Sequence, residues 1–80
     1  MNKEDEMATY LAQKLIKVFN VTEDDIENEI DFYTVLSEEL YDDARYDAFY
    51  QLYDFLEHKG IGGITTPGMF NDIIYKQFVK

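Results

Sequence analysis

The fold is decided by the stretch from Glu23 to Glu57, which reads EDDIENEIDFYTVLSEELYDDARYDAFYQLYDFLE. It contains neither Gly nor Pro, so it lacks the residues that most readily break a helix. Its apolar residues recur in steps of three or four, the spacing of one helical face. They are Ile26, Ile30, Tyr33, Leu36, Leu40, Ala44, Ala48, Leu52 and the pair Phe55/Leu56. The stretch is therefore predicted to be helical.

This stretch is too long to form one uninterrupted helix in so small a protein. A single helix over these residues would be about 50 Å long at 1.5 Å per residue. The rest of an 80-residue chain is too short to cover it. Breaks are therefore expected near Asp31 and between Tyr41 and Arg45.

Helix-capping residues mark the elements on both sides of this stretch. Asn2 can begin a first helix, and Asn20 can end it in a left-handed conformation. Thr22 is a good N-cap for the next segment. Gly60 is the predicted C-cap of the third helix, and Thr66 followed by Pro67 is a typical helix start.

Together these signals predict one all-α domain over residues 1–80, a small bundle of about four helices. The predicted helices span residues 3–19, 23–41 with a possible break near 31, 44–59 and 67–79. The predicted core consists of the apolar positions that share the inner faces: Leu11, Leu15, Val18, Ile26, Ile30, Leu36, Leu40, Leu52, Leu56, Phe70, Ile73, Ile74 and Phe78.

The negative charge is concentrated in the central stretch. Residues 23–57 hold 13 of the 17 carboxylates, with Arg45 as their only cation, so the net charge of this segment is −12. The flanking residues sum to +2, which gives the whole chain its net charge of −10. Such a field disfavours direct binding to nucleic acid or to an anionic membrane, and it favours a basic protein partner. Helix capping accounts for only three of these acids, Glu23, Asp24 and Asp25.

If the stretch is helical, many of its acids also repel one another. Six pairs lie four residues apart: Glu23/Glu27, Glu27/Asp31, Asp25/Glu29, Glu38/Asp42, Glu39/Asp43 and Asp43/Asp47. At roughly 0.2 to 0.5 kcal/mol each, they would cost about 1 to 3 kcal/mol together. Two interpretations stay open: the acids form solvated faces that add solubility, or the negative surface itself serves the function.

The residues that could perform chemistry form no recognisable catalytic or metal site. His58 is the only histidine, and the chain has no cysteine. Asp54, four residues earlier, could share a helix face with His58, but these two side chains are fewer than the three or four ligands that a metal site requires. The glycines between residues 60 and 66 lack the lysine and the spacing of a phosphate-binding loop. We therefore expect neither an enzyme nor a cofactor or metal ion, and the absence of a signal sequence favours a cytoplasmic protein.

In size, charge and lack of catalytic parts, the chain resembles the small acidic inhibitors that phages and mobile elements direct against host nucleases, including anti-CRISPR and anti-restriction proteins. The resemblance implies a cytoplasmic protein of the host cell that binds and inhibits a basic nucleic-acid-binding protein through a DNA-like negative surface. Stretched along one axis, the 13 acids would lie about 4 Å apart, close to the charge spacing of a DNA strand. The alternative is a small structural or regulatory module, either monomeric or a homodimer.

The predicted partner-binding residues are acids of the central stretch and tyrosines interleaved with them. They are Glu27, Asp31, Glu38, Glu39, Asp42, Asp43, Tyr46, Asp47, Tyr50 and Asp54. Tyrosine is a frequent interface anchor because its ring is large and its hydroxyl tolerates water. No catalytic residue is predicted.

Overall fold

Five α-helices make up the regular structure of the described chain. The computed structural model describes residues 3–59 and 66–79, and within them the helices are α1 (Lys3–Phe19), α2 (Glu23–Glu27), α3 (Phe32–Ser37), α4 (Asp43–Lys59) and α5 (Pro67–Tyr75). A short 3-10 helix, Lys76–Phe78, continues α5. The predicted all-α fold is confirmed. The predicted caps Asn2 and Gly60 lie outside the described residues.

The end of α1 and the end of α2 have the same backbone geometry. Asn20 takes a positive φ of 55°, and the amide of Val21 donates to the carbonyl of Ile16 at 3.0 Å, which closes a Schellman motif. After α2, Glu29 takes a φ of 53° and the amide of Ile30 donates to the carbonyl of Asp25 at 3.3 Å. The expected role of Asn20 is confirmed, and the left-handed Glu29 explains why the helix stops before Asp31.

The predicted helix over residues 23–41 is therefore two short helices. The break near Asp31 is confirmed, with Asp31 as the N-cap of α3. The second break covers residues 38–42 and so lies slightly earlier than predicted. It ends there because Asp42 caps α4: the Oδ1 of Asp42 accepts a hydrogen bond from the amide of Arg45 at 2.8 Å. The last helix is shorter than predicted, since its α-helical part ends at Tyr75.

The two long helices, α1 and α4, pack side by side and run antiparallel. Lys14 donates from Nζ to Oε1 of Gln51 at 3.0 Å, and the ring of Phe19 lies beside the guanidinium of Arg45. The later residue of α1, Phe19, thus lies beside the earlier residue of α4, Arg45, which shows that the two helices are antiparallel. Helix α5 packs against both, and α3 lies against α5.

The core lies between these helices and contains three completely covered phenylalanines. Phe32, Phe49 and Phe70 are each at most 2% exposed, and the rings of Phe49 and Phe70 lie 4.9 Å apart. Seven predicted core residues are buried: Leu11, Leu15, Leu36, Leu52, Leu56, Phe70 and Ile74. The other six pack against this cluster while partly exposed: Val18, Ile26, Ile30, Leu40, Ile73 and Phe78. The prediction missed Phe32 and Phe49.

Candidate protein-interaction surface

Several acids of the central stretch act as helix caps. Asp25 forms a capping box with Thr22: the Thr22 hydroxyl accepts from the Asp25 amide at 3.3 Å, and an Asp25 carboxylate oxygen accepts from the Thr22 amide at 3.0 Å. Asp31 and Asp42 cap α3 and α4. The expectation that capping explains only the three acids at the start of α2 is therefore wrong, because the chain starts two further helices on aspartates.

Asp31 also joins α3 to α5. Its Oδ1 accepts from the amide of Thr34 at 3.3 Å and from Nδ2 of Asn71 at 3.0 Å, while Oδ2 accepts from the Thr34 hydroxyl at 2.9 Å. These bonds, from Asn71 first and Thr34 next, lower the pKa of Asp31. Asn71 accepts in turn from the amide of Tyr33 at 2.9 Å. Asp31 is exposed, but its oxygens are already engaged within the protein.

The predicted cost of like-charge repulsion was too high, because the helix breaks separate most of the pairs. Only Glu23/Glu27 and Asp43/Asp47 have both members inside one helix. The helical rule of about 0.2 to 0.5 kcal/mol per pair applies to these two and not to the other four. The acidic stretch is thus less destabilising than its sequence implies.

The acids of residues 23–57 do not lie along one line. The molecule measures 30 × 29 × 18 Å between Cα atoms, so it contains no 50 Å line of acids. The stretch folds back at residues 28–31 and at residues 38–42. The charge spacing of about 4 Å, which assumes a stretch extended along one axis, therefore does not apply to the folded chain, and the acids lie on separate parts of its surface.

One side of α4 collects half of the predicted partner-binding residues. Each of these residues lies three or four positions from another of the set, which makes them neighbours on the helix surface; they are Asp43, Tyr46, Asp47, Tyr50 and Asp54. The three aspartates are exposed, and no hydrogen bond or ion pair with the rest of the described chain engages their side chains. We call these five residues the α4 strip.

The tyrosines of the α4 strip belong to a longer row of rings. Tyr46, which is 53% exposed, lies 4.7 Å from Tyr50, and Tyr50 lies 5.8 Å from Tyr53. Tyr53 lies 6.0 Å from Tyr33 on α3. Tyr50, Tyr53 and Tyr33 are half-buried, so the row is partly open to solvent. We call these four residues the tyrosine row.

The surroundings of Tyr53 in this row disfavour the ionised form of its ring. Interaction with Tyr33 raises the pKa of Tyr53 most, followed by partial burial, and the carboxylate of Glu57 adds to the rise. Sequence reasoning left out Tyr53 and Glu57. Their positions, seven and eleven residues after Tyr46, would have placed both on the same side of α4. The sequence carried no signal that would have brought Tyr33 to this row.

Arg45, the only cation of the central stretch, is held at the other side of α4. Its guanidinium carbon lies 5.7 Å from the ring centre of Tyr41 and 6.0 Å from that of Phe19, both within cation–π distance. Its Nε lies 3.9 Å from a carboxylate oxygen of Asp42. This pair is solvent-exposed, so it contributes at most about 1 kcal/mol. Within the described residues, Arg45 forms its ion pair with Asp42 and not with Asp43, Asp47 or Asp54.

The remaining predicted residues lie away from the α4 strip in the chain. Glu27 is the exposed last residue of α2, and Glu38 is the exposed C-cap of α3. Glu39 is half-buried in the connection to α4. The structure therefore groups five of the ten predicted residues on one helix side and distributes the other five over caps and connections.

The described residues form neither a metal-binding cluster nor a membrane-spanning helix. Nowhere in residues 3–59 and 66–79 do three or more His, Asp or Glu side chains converge as metal ligands. His58 is exposed near the end of α4. None of the helices in this part of the chain combines the length and the apolar character needed to cross a membrane. The expectations of a non-enzyme and of a cytoplasmic location stay predictions.

Comparison with known proteins gives no relative: the chain matches no protein-family model, no curated protein and no solved structure.

Proposed function

We propose that this chain is a protein-interaction protein that binds a basic nucleic-acid-binding protein, such as a nuclease, and inhibits it by covering its basic surface. The single observation that supports the proposal best is the α4 strip. There, carboxylates that have no hydrogen bond or ion pair within the described residues share one side of a 17-residue helix with partly exposed tyrosine rings. A basic groove is attracted to such a surface at long range, and the rings give contact area at short range.

The proposal rests on charge and not on the geometry of DNA. From Asp43 to Asp54 the α4 strip covers about 17 Å at 1.5 Å per residue. Three carboxylates over that distance are far fewer than the phosphates of a DNA strand of the same length, which lie about 3.4 Å apart. The partner is therefore expected to recognise a small acidic and aromatic patch, with the wider field of the −12 segment accelerating the encounter.

The direct test is retention of basic proteins from a cell extract on the immobilised full chain, with elution first by rising salt and then by duplex DNA. We expect a nucleic-acid-binding protein to be retained and to be released by DNA, because both ligands would occupy the same basic surface. The retained protein is then assayed for nucleic-acid binding or cleavage with increasing amounts of the chain, which should inhibit it.

A matched variant removes the same number of charges elsewhere. Asp43→Asn/Asp47→Asn/Asp54→Asn should abolish retention, whereas Glu4→Gln/Asp5→Asn/Glu6→Gln, in the first turn of α1, should leave it nearly unchanged. Equal losses in both variants would show that only net charge matters. Retention of no specific partner, together with self-association in sedimentation, would instead favour the structural or regulatory module.

A further inference from the structure

We infer that the α4 strip and the tyrosine row together form a docking site selective for arginine side chains of the partner. This inference rests on the proposed function, and it specifies which basic residue the surface recognises. The residues that carry it are the four rings of the tyrosine row and the carboxylates of Asp43, Asp47 and Asp54. The occupant to which it commits is an arginine-bearing segment of a basic protein.

The rings supply the first part of the argument. Successive centres along Tyr46, Tyr50, Tyr53 and Tyr33 are 4.7, 5.8 and 6.0 Å apart. The inner rings rest on the core: Tyr33 packs edge-on against Phe70 at 5.6 Å, and Tyr50 against Phe49 at 5.2 Å. They are therefore held in place before a partner arrives, which reduces the entropy lost on binding.

The charges supply the second part. Asp47 lies three residues before Tyr50 and Asp54 lies four residues after it, so both carboxylates border its ring along the helix. Glu57 likewise lies four residues after Tyr53, which places its carboxylate next to that ring along the helix. A planar cation that stacks on such a ring would therefore have a carboxylate within reach of its N–H groups. Arginine meets both requirements, because its guanidinium stacks on rings and donates in a fork.

The molecule already contains one arginine in a comparable environment. Arg45 lies beside the rings of Tyr41 and Phe19 and next to the carboxylate of Asp42, with distances of 5.7, 6.0 and 3.9 Å. This arrangement shows that rings and acids of this chain accept a guanidinium. The α4 strip offers the same chemical groups without an internal cation engaging its three aspartates within the described residues.

The test compares two labelled peptides of equal length, one of arginine and one of lysine, in titrations with the full chain at low salt. Both carry the same charge, so a purely electrostatic surface binds them about equally. We expect the arginine peptide to bind about fivefold more tightly or better, because a guanidinium stacks on a ring and donates in a fork, whereas a lysine ammonium is a more strongly hydrated point charge. Equal dissociation constants for the two peptides would overturn the inference while leaving the proposed function intact.

Variants separate the rings from the charges. Tyr46→Leu/Tyr50→Leu should bring the arginine peptide down to the affinity of the lysine peptide, whereas Tyr46→Phe/Tyr50→Phe should keep the preference because the rings remain. Tyr10→Leu, at a similarly exposed tyrosine on α1, is the matched control and should have no effect. If the double leucine variant does not fold, the single variant Tyr46→Leu, at the most exposed ring of the row, should still lower the preference.

A third variant distinguishes failure of this inference from failure of the proposed function. Asp43→Asn/Asp47→Asn/Asp54→Asn should weaken the binding of both peptides, and that of the arginine peptide more, because the guanidinium also loses the carboxylate to which it donates in a fork. An arginine preference that survives loss of the Tyr46 and Tyr50 rings would overturn the role of the tyrosine row alone. Binding of neither peptide by the unaltered chain would count against the proposed function as well.

Discussion

The acids of residues 23–42 and the acids of α4 have similar sequence surroundings but different structural roles. In the first region, Asp25 completes the capping box at the start of α2, and Asp31 and Asp42 cap α3 and α4; all three accept hydrogen bonds from backbone amides. In the second region, Asp43, Asp47 and Asp54 point into solvent on one helix side. The first group stabilises the fold, and the second is available to a partner.

This difference shows that a high density of acids is not by itself a sign of a binding surface. Short helices need many N-caps per residue, and aspartate is among the best residues at that position. The helix dipole also favours negative charge in the first turn. Part of the −12 charge of residues 23–57 therefore has a structural cause. Asp43 belongs partly to that group because it lies in the first turn of α4, so the case for a partner depends most on Asp47 and Asp54.

The largest loss of stability is expected from a substitution in the hydrophobic core, against which both regions pack. Phe49 on α4 is 2% exposed and contacts Phe70 of α5 and Tyr33 of α3. Phe49→Ala should lower the free energy of unfolding by about 3 to 5 kcal/mol, measured by chemical denaturation, because it removes a large buried ring and leaves a cavity. Ala44→Gly, at an exposed position of the same helix, is the comparison and should cost only about 1 kcal/mol. Similar losses in the two variants would contradict the central position of Phe49.

A smaller effect is expected from the hydrogen bond between Tyr75 and Ile30, which stabilises the first region and not α4. The hydroxyl of Tyr75 donates to the carbonyl of Ile30 at 2.6 Å, and burial raises the pKa of Tyr75, which keeps this donor protonated. Tyr75→Phe should cost about 1 to 3 kcal/mol, because the partly buried carbonyl loses its donor. Hydrogen exchange should accelerate in α3 more than in α4. Tyr10→Phe, which removes an exposed hydroxyl, should leave exchange unchanged, and uniform acceleration in the Tyr75 variant would contradict a local role.

Much of the fold could be predicted from the sequence because its signals are local. The three-to-four spacing of Leu11 and Leu15 and the caps Asn20, Thr22 and Thr66 depend on neighbours within a few residues. The left-handed Glu29 could not be anticipated in this way, since glutamate rarely adopts a positive φ. The burial of Phe32 and Phe49 depends on contacts with Tyr75 and Phe70 of α5, a long-range arrangement that residue spacing does not report.

The candidate site could be predicted only where helix spacing alone determines it. Asp43, Tyr46, Asp47, Tyr50 and Asp54 lie together because they share one helix. Distances between helices bring Tyr33 to the tyrosine row and join Asp31 to Asn71, and no single-helix pattern encodes them. Whether a partner binds these residues stays a prediction.

The role of Asp31 as a cap can be tested by pH. Its folded pKa is below the ordinary value, so its charged form stabilises the protein above the unfolded pKa of about 3.9, and this stabilisation disappears as the pH falls through the folded pKa. Asp31→Asn keeps a capping oxygen but not the charge. We expect the variant to have a lower melting temperature than the unaltered chain near neutral pH, with a difference that shrinks below about pH 4. A difference that stays constant through this range would contradict the inferred hydrogen bonds to the ionised carboxylate.

The smallest effect on stability is expected at the exposed acids of α4, and it completes the comparison between the two regions. Asp47→Asn/Asp54→Asn should change the free energy of unfolding by less than about 0.5 kcal/mol, because neither side chain has a partner within the described residues and substitutions at such sites are usually near neutral. Any change should be a gain, since the repulsion between Asp43 and Asp47 is relieved. Asp42→Ala, only one residue before α4 begins, should cost about 1 kcal/mol through loss of the cap. If the α4 variant is destabilised as much as Asp42→Ala, its acids also serve the fold. If it keeps its stability but loses the basic partner, the acids of α4 are retained for binding.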